Sequence, residues 1–278
     1  MKKILVPCDF SRPAVNAFRV ALDLAQKSKG AVTLLNIMEL PAIHNPLMST
    51  AMGFEQELAK ELKAKVRKEY DKIINRYTTR GVTVKTEVLV GTVSYMITDY
   101  ARKKGMDLIV MGTHGATGLR EIVIGSNAEK VVRRATVPVL TVKEYSKRPI
   151  RNIVFPNTLE TEKQSQLVKK VTELQAFLKA KLHVLYVNTP TNFTADDITM
   201  ERLKAFAAKY KLRNYTLNVY NYPFEEPGII HFATRVKADL VAMGTHGRQG
   251  IAHFLNGSLA EDVVNHARFP IWTYTIEP

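Results

Sequence analysis

The 278-residue sequence is poor in the features that mark exported and membrane-embedded proteins. It contains one cysteine, Cys8, so no disulfide can form within the chain. No apolar run approaches the ~18 residues that a membrane-spanning helix needs. The stretch Ile4–Cys8 that follows Lys2 and Lys3 stops at Asp9, which is too short for a signal-peptide core. We therefore expect a cytoplasmic protein with no membrane span.

The sequence also lacks the common signatures of phosphate-transfer and hydrolytic enzymes. It has no GxxxxGK(S/T) loop, no GxGxxG fingerprint and no nucleophile elbow. Its histidines show neither the HExxH pattern nor another close metal-ligand spacing. Strong catalysis and a metal site are therefore not expected.

Acidic residues are few relative to basic ones, 26 against 40, which gives a formal charge of +14. Such an excess favours anionic partners, namely nucleotide phosphates, nucleic acid or acidic lipid. A solvated basic surface is the alternative. Because no long Lys/Arg block with interleaved aromatic residues is present, we do not expect nucleic acid as a partner.

The chain repeats itself. Residues 107–142 align with residues 239–274 at a constant offset of 132 without a gap. A chain of this length fits two domains of about 140 residues. We therefore predict duplicated domains over residues 1–145 and 149–278. The matched pairs include Met111/Met243, Gly112/Gly244, Thr113/Thr245, His114/His246, Gly115/Gly247, Gly125/Gly257 and Ser126/Ser258.

Buried apolar runs and amphipathic stretches alternate in each half. Lys3–Cys8 has the pattern of a strand buried on both faces, and Ser11 with Pro13 marks a helix start that Gly30 ends. Residues 40–53 carry the turn formers of a loop before a long amphipathic helix. Such alternation predicts an α/β fold with two tandem domains. Each is a mainly parallel five-stranded sheet with helices on both faces, a Rossmann-like arrangement.

Several polar and glycine residues fall at the predicted carboxyl ends of strands, where open parallel sheets bind ligands. The loop Gly112–Gly115 and the pair Gly125–Ser126 give the spacing Gly-x2-Gly-x9-Gly-Ser. Glycines let backbone amides approach an anion, and a helix beginning at Ser126 offers free N–H groups and the positive end of its dipole. The pattern is thus typical of a phosphate cradle. Turn glycines with Ser126 as a simple helix cap explain it equally well.

These motifs resemble the universal stress protein family. The resemblance is carried by the segments Pro7-x-Asp9-Phe10-Ser11, Met111–Gly115, Gly125-Ser126, Ala128–Val131 and Val137–Leu140, and it covers nearly the whole chain as two domains. It implies a five-stranded parallel sheet and, for members with this glycine spacing, ATP as the ligand. A divalent ion such as Mg2+ often accompanies the phosphates in that family.

The resemblance also implies roles for particular residues of the first half. Asp9 is expected near adenine and ribose, and the main chain at Ile37 is expected to contact adenine. Pro7 and Met111 complete the candidate nucleotide site. Ribose and phosphates are expected to be held by Gly112, His114, Gly115, Gly125, Ser126 and Asn127.

The second half departs from this pattern at its first strand. Thr158 stands at the position of Asp9, Asn157 at that of Cys8, and Glu160 at that of Ser11. The missing acidic group weakens the expected sugar contact, although the glycine loop remains. The second-half candidates are Gly244, His246, Gly247, Gly257 and Ser258.

The functional expectation is a stress-response ATP-binding module whose occupancy changes the surface presented to an unidentified protein partner. A slow ATP hydrolase is one alternative, with His114 and Asp9 as the only plausible actors. A scaffold without nucleotide is the other. The resemblance implies that the last strands of two such domains pair, so Val137–Val142 is expected to pair with Pro270–Tyr274 within the chain as a pseudo-dimer, and two chains can associate further as a homodimer.

Overall fold

Strands and helices alternate through both halves of the computed structural model, which describes residues 1–39, 52–78, 81–113, 125–159, 164–246 and 259–276. The first half contains β1 (Lys3–Pro7), α1 (Arg12–Ser28), β2 (Ala31–Met38), α2 (Met52–Tyr77), β3 (Thr83–Val90), α3 (Val93–Lys103), β4 (Leu108–Gly112), α4 (Ser126–Arg134) and β5 (Val139–Val142). Residues 40–51 of the predicted loop lie outside the described residues, and α2 begins at Met52.

The second half repeats this order. It contains β6 (Asn152–Pro156), α5 (Ser165–Leu178), β7 (Lys181–Asn188), a 3-10 turn (Pro190–Asn192), α6 (Asp196–Lys209), β8 (Tyr215–Asn221), α7 (Glu225–Arg235), β9 (Leu240–His246), α8 (Leu259–His266) and β10 (Ile271–Ile276). None of the helices in the described ranges combines the length and apolar character that crossing a bilayer requires.

The described strands form one continuous sheet in the order β3-β2-β1-β4-β5-β10-β9-β6-β7-β8. Strands within each half are parallel, whereas β5 and β10 pair antiparallel with Trp272 opposite Leu140. The Thr141 hydroxyl reinforces this pairing by donating to the carbonyl oxygen of Ile271 at 3.2 Å. The predicted pairing of the two halves through their last strands is therefore confirmed. We call the β5–β10 pair the seam.

Each face of the sheet carries a hydrophobic core that runs through both halves. One core packs α1, α2, α5 and α6 against the sheet around Phe18, Tyr70, Phe155 and Phe206. The other packs α3, α4, α7 and α8 around residues such as Ile97 and Phe232. The apolar faces predicted from sequence thus lie on opposite sides of the sheet, which confirms the α/β class with helices on both faces.

The duplication is visible in matching hydrogen bonds at the start of each half. A carboxylate oxygen of Asp107 accepts the backbone N–H groups of Lys2 and Lys3 at 2.5 and 3.0 Å. Asp239, at the offset of 132, accepts those of Arg151 and Asn152 at 2.8 and 2.9 Å. Each aspartate therefore fixes the beginning of the central strand of its half.

Helix α1 begins where the sequence predicts, with Ser11 as its N-cap, but its end differs by one residue. Lys29, rather than Gly30, takes the left-handed conformation (φ 51°) that closes the helix. Gly30 is needed for another reason, because a Cβ there would lie 2.6 Å from the carbonyl oxygen of Lys2. The glycine therefore permits a close approach to the chain that precedes β1.

Candidate nucleotide site

The candidate site of the first half lies at the edge of the sheet where β1, β2 and β4 end. These strands are parallel and adjacent, so Pro7, Met38 and Gly112 lie along the same edge. The topology reverses between β1 and β4, and ligands of open α/β sheets bind at such a switch point. The fold thus brings together the residues that follow β1, β2 and β4.

Asp9 lies in a tight turn between β1 and α1. One carboxylate oxygen accepts the backbone N–H of Ser11 at 3.0 Å, and the Asp9 side chain is exposed. Phe10 makes the turn by adopting a left-handed backbone (φ 65°), and its ring packs on that of Tyr70 at 5.2 Å. The carboxylate is therefore oriented by its own turn while one oxygen remains available to solvent or a ligand.

The end of β2 is tied to this turn by polar contacts. The Asn36 amide donates to the carbonyl oxygen of Cys8 at 2.8 Å, and the Cys8 N–H donates to the carbonyl oxygen of Leu35 at 2.8 Å. Ile37 follows directly and is partly buried. The main chain expected to contact adenine is consequently fixed relative to Asp9.

Cys8 and Tyr70 form the buried floor beneath the turn. Burial raises the pKa of the Cys8 thiol to about 12, so the thiol stays protonated at neutral pH. Burial also raises the pKa of Tyr70, whose hydroxyl donates to the carbonyl oxygen of Glu87 at 3.0 Å. Both side chains therefore support the turn rather than supply chemistry.

Gly112 is a glycine because helix α1 begins against it. A Cβ at this position would lie 2.3 Å from the carbonyl carbon of Pro13 and 2.6 Å from the nitrogen of Ala14. The neighbouring Met111 side chain is buried in the core, which leaves its main chain for any ligand contact. Gly112 thus sets the position of the α1 start, and with it the turn that carries Asp9.

The start of α4 differs from the simple-cap interpretation of Ser126. Gly125 occupies the N-cap position (φ −60°, ψ 133°), and Ser126 is the first helical residue, with an exposed side chain. Glycine has no side chain with which to cap the first-turn amides. The N-terminus of α4, including Ser126 and Asn127, therefore keeps the features of an anion site.

A further residue of this region, Thr113, was not singled out from the sequence. Its side chain is buried, and its hydroxyl has no hydrogen-bond partner among the described residues. At the matching place in the second half, the Thr245 hydroxyl donates to that of Thr275 at 3.1 Å. In the first half Gly112 is opposite Val142, and the next residue, Lys143, directs its ammonium to the carbonyl oxygen of Asn265. The repeat contained this signal, since Lys143 stands where the second half has Thr275 at the constant offset of 132.

In the second half, an amide network occupies the position of the Asp9 turn. The Asn157 amide donates to the Gln164 side-chain oxygen at 2.6 Å and accepts from the Leu159 N–H at 2.7 Å, while the Gln164 amide donates to the Thr158 hydroxyl at 3.4 Å. Leu159 reproduces the left-handed backbone of Phe10 with φ 64°. The turn is retained, but its polar groups bind one another.

The remaining candidates are placed only in part. Gly244 lies within β9, and a Cβ there would meet the side-chain tips of Ile276 and Leu167 at 2.9 Å. His246 is the last residue of β9. In the described ranges, no group of three or more His, Cys, Asp or Glu side chains is placed to hold a metal ion. The candidates His114, Gly115, Gly247, Gly257 and Ser258 lie outside the described residues.

Comparison with known proteins agrees with this architecture. The family model described as "Universal stress protein family" matches the chain twice, over residues 1–143 and 149–274. A universal stress protein of Methanocaldococcus jannaschii is 34% identical over 146 residues, which is 52% of this chain and 84% of that protein. A second one from the same organism is 32% identical over 153 residues, which is 51% of this chain and 94% of that protein.

A solved structure extends the likeness to both halves. The crystal structure of a universal stress protein from Archaeoglobus fulgidus covers 98% of this chain and 98% of its own, with a TM-score of 0.69 and 17% identity. At that identity the likeness shows the fold. The two family matches, together with the duplicated fold, establish that this chain belongs to the universal stress protein family, with two family domains in tandem.

Proposed function

We propose that the first half binds ATP at the edge where β1, β2 and β4 end, and that the chain acts as a nucleotide-dependent regulatory or interaction module. The observation that carries this proposal is the Asp9 turn, whose carboxylate is held by the Ser11 N–H at 3.0 Å. The turn lies beside the close packing of Gly112 on α1. A polar group oriented at a switch point is what recognition of a ribose hydroxyl requires.

The start of α4 supports the phosphate end of the same site. Gly125 leaves the first-turn amides without a side-chain cap, and the helix dipole favours negative charge there. The Thr113 hydroxyl, which has no hydrogen-bond partner within the described part of the chain, adds one buried polar group directly after Gly112. A Mg2+ ion would be ligated mainly by the phosphates, and it would supply charge neutralisation to them.

A regulatory role is favoured over catalysis by the residues at hand. Transfer of a phosphoryl group to water needs a base or a group that positions the water. Asp9 already orients the turn, and His114 is the other candidate of the sequence. We therefore propose at most slow ATP hydrolysis, and a cytoplasmic location where ATP is supplied.

We further propose that the halves divide at residues 1–145 and 149–278. Tyr145 still belongs to the first half, because the Arg19 guanidinium stacks 3.7 Å above the centre of its ring. Arg151 already belongs to the second half, because its N–H donates to Asp239. The intervening Ser146–Arg148 segment is exposed.

Isothermal titration of the full chain with Mg-ATP tests the proposed site, with Ser126→Asp as the diagnostic variant. An aspartate at the first position of α4 interacts favourably with the helix dipole, so the fold is kept, yet it repels a bound phosphate. We expect binding by the wild type and at least about a tenfold loss of affinity in the variant. If the wild type gives no binding heat and shows no nucleotide competition up to millimolar Mg-ATP, the proposal is wrong.

Phosphate release measured on the same samples separates binding from hydrolysis. We expect turnover far below the rates of dedicated ATPases. If turnover is robust and His114→Ala abolishes it while ATP affinity is kept, the enzyme interpretation replaces the regulatory one.

A further inference from the structure

Strand β8 (Tyr215–Asn221) has an open outer side. Of the strands that the structure describes, it is the last at its end of the sheet, and it pairs with β7. The Asn214 carbonyl accepts from the Leu182 N–H, and the Tyr222 N–H donates to the Asn188 carbonyl. In a parallel pair every second residue bonds to the neighbour, so the even-numbered residues face β7. The backbone groups of residues 215, 217, 219 and 221 therefore point away from the sheet.

The composition of β8 leaves this edge unprotected. Exposed edges are normally blocked by charges, proline or bulges, and the segment YTLNVYN contains no charged residue and no proline. A groove of about 490 Å³ follows the strand. It is lined by Met200 and Asp196 of α6 on one side of the sheet and by Phe232 and Arg235 of α7 on the other. An incoming strand could thus pair with the backbone and place side chains on both faces.

The opposite edge strand, β3, shows what protection looks like in the same fold. The Gly91 N–H donates to the Met38 carbonyl as the Tyr222 N–H donates to that of Asn188, so Gly91 and Tyr222 are equivalent. Counting back from them matches Glu87 with Asn218 and Lys85 with Thr216. The first-half edge is charged at both places, whereas the second-half edge is neutral.

The two ends of β8 carry opposite charges. Asp196 is exposed at the carboxyl end, where the Asn221 amide donates to its carboxylate at 3.3 Å. Arg213 is exposed two residues before the strand begins. When two such strands run antiparallel, the carboxyl end of one meets the amino end of the other. Asp196 of one copy therefore approaches Arg213 of the second.

We propose that β8 pairs antiparallel with β8 of a second copy of this chain about a two-fold axis at Asn218, which continues the sheet from one chain into the next. In this register Leu217 faces Val219, and Tyr215 faces Asn221. All four present outward backbone groups, so each facing pair exchanges its N–H and C=O bonds. The same pairing of β3 would oppose two Glu87 carboxylates at the axis, and like charges directly opposite are destabilising. The second-half edge is thus the one suited to self-association.

Sedimentation velocity of the full chain, from low to high micromolar concentration, tests this with the matched variants Val219→Lys and Val88→Lys. The two valines are equivalent and partly buried, so similar losses in thermal stability are expected. We expect a reversible wild-type dimer, at least about a tenfold weaker dimer for Val219→Lys, and no change for Val88→Lys.

Charge reversal supplies a second test that leaves the strand untouched. Arg213→Glu and Asp196→Lys should each weaken the dimer by about three- to tenfold, a modest loss because rim ion pairs are worth little individually. The double variant should restore the dimer, because opposite charges then face each other again. A wild type that stays monomeric at every concentration overturns the proposal. So does a dimer that Val88→Lys disrupts, or one that resists Val219→Lys.

Discussion

The two halves share one backbone plan but use the turn after their first strand differently. Phe10 and Leu159 have nearly the same left-handed φ, 65° and 64°, so the turn is the same. In the first half it presents the Asp9 carboxylate to solvent, whereas in the second half Asn157 and Gln164 are buried and bonded to each other. A turn can therefore be kept for the fold while its polar groups are either offered to a ligand or used internally.

The largest expected effect separates the two matched glycines. Gly112→Ala should lower the free energy of unfolding by about 3 kcal/mol, because its Cβ would collide with the backbone of Pro13 and Ala14. Gly244→Ala should cost about 1 kcal/mol, since the tips of Ile276 and Leu167 can move. Denaturant unfolding of both variants measures the difference. Equal losses would show that α1 is not positioned by Gly112.

The next effect concerns the amide network of the second half. Gln164→Ala should destabilise the chain by about 2 kcal/mol, because it leaves the buried Asn157 amide without its partner. The variant should leave ATP affinity unchanged if the first half alone binds nucleotide. Denaturant unfolding and titration calorimetry on the same preparation check both parts, and a loss of ATP binding would place ligand in the second half.

A smaller effect is expected from the matched pair Asp9→Ala and Thr158→Ala. Removing the Asp9 carboxylate should weaken Mg-ATP binding by about tenfold, or about 1.4 kcal/mol, since one charged hydrogen bond is lost. Thr158→Ala should leave the affinity unchanged. Titration calorimetry compares the two variants directly. A larger loss of affinity for Thr158→Ala than for Asp9→Ala would show that the second half, not the first, binds the nucleotide.

The smallest effect is a pH dependence at the start of β1. Burial acts to raise the pKa of Asp107, but the N–H groups of Lys2 and Lys3 outweigh it and hold that pKa below its usual value. The stabilisation is thus fully present above the unfolded-state pKa of about 4 and is lost as pH falls through the lower folded-state pKa. When the pH is lowered from 6 to about 2, the midpoint temperature of thermal unfolding should fall less steeply for Asp107→Asn than for the wild type.

Much of the fold could be predicted from sequence because periodicity and repetition act over many residues. The order of strands and helices followed from apolar runs and the constant offset, whereas the pairing of the last strands came from the resemblance to the family. The local boundaries could not be predicted as well. Lys29, rather than Gly30, closes α1, whereas α4 begins at Ser126 as the sequence predicts, with Gly125 as its N-cap. Such choices depend on contacts between distant segments, such as Gly30 against Lys2.

The candidate site shows the same limit. The motif pointed to Asp9 and Gly112, yet it did not reveal that Gly112 is required by the start of α1. The repeat does differ near Thr113, with Lys143 where the second half has Thr275, but only the structure shows that the Thr113 hydroxyl has no partner among the described residues while the Lys143 ammonium donates to Asn265. Residues whose role depends on a distant neighbour become visible only in three dimensions.

The seam has a consequence for how the halves can diverge. Because one short linker joins the two halves, β5 and β10 face each other at a high effective concentration that dilution does not lower. Each half therefore covers the last strand of the other, β5 or β10, whether or not it holds a small molecule. A half whose turn has closed on itself can still be indispensable, since without it β5 would become a bare edge open to aggregation.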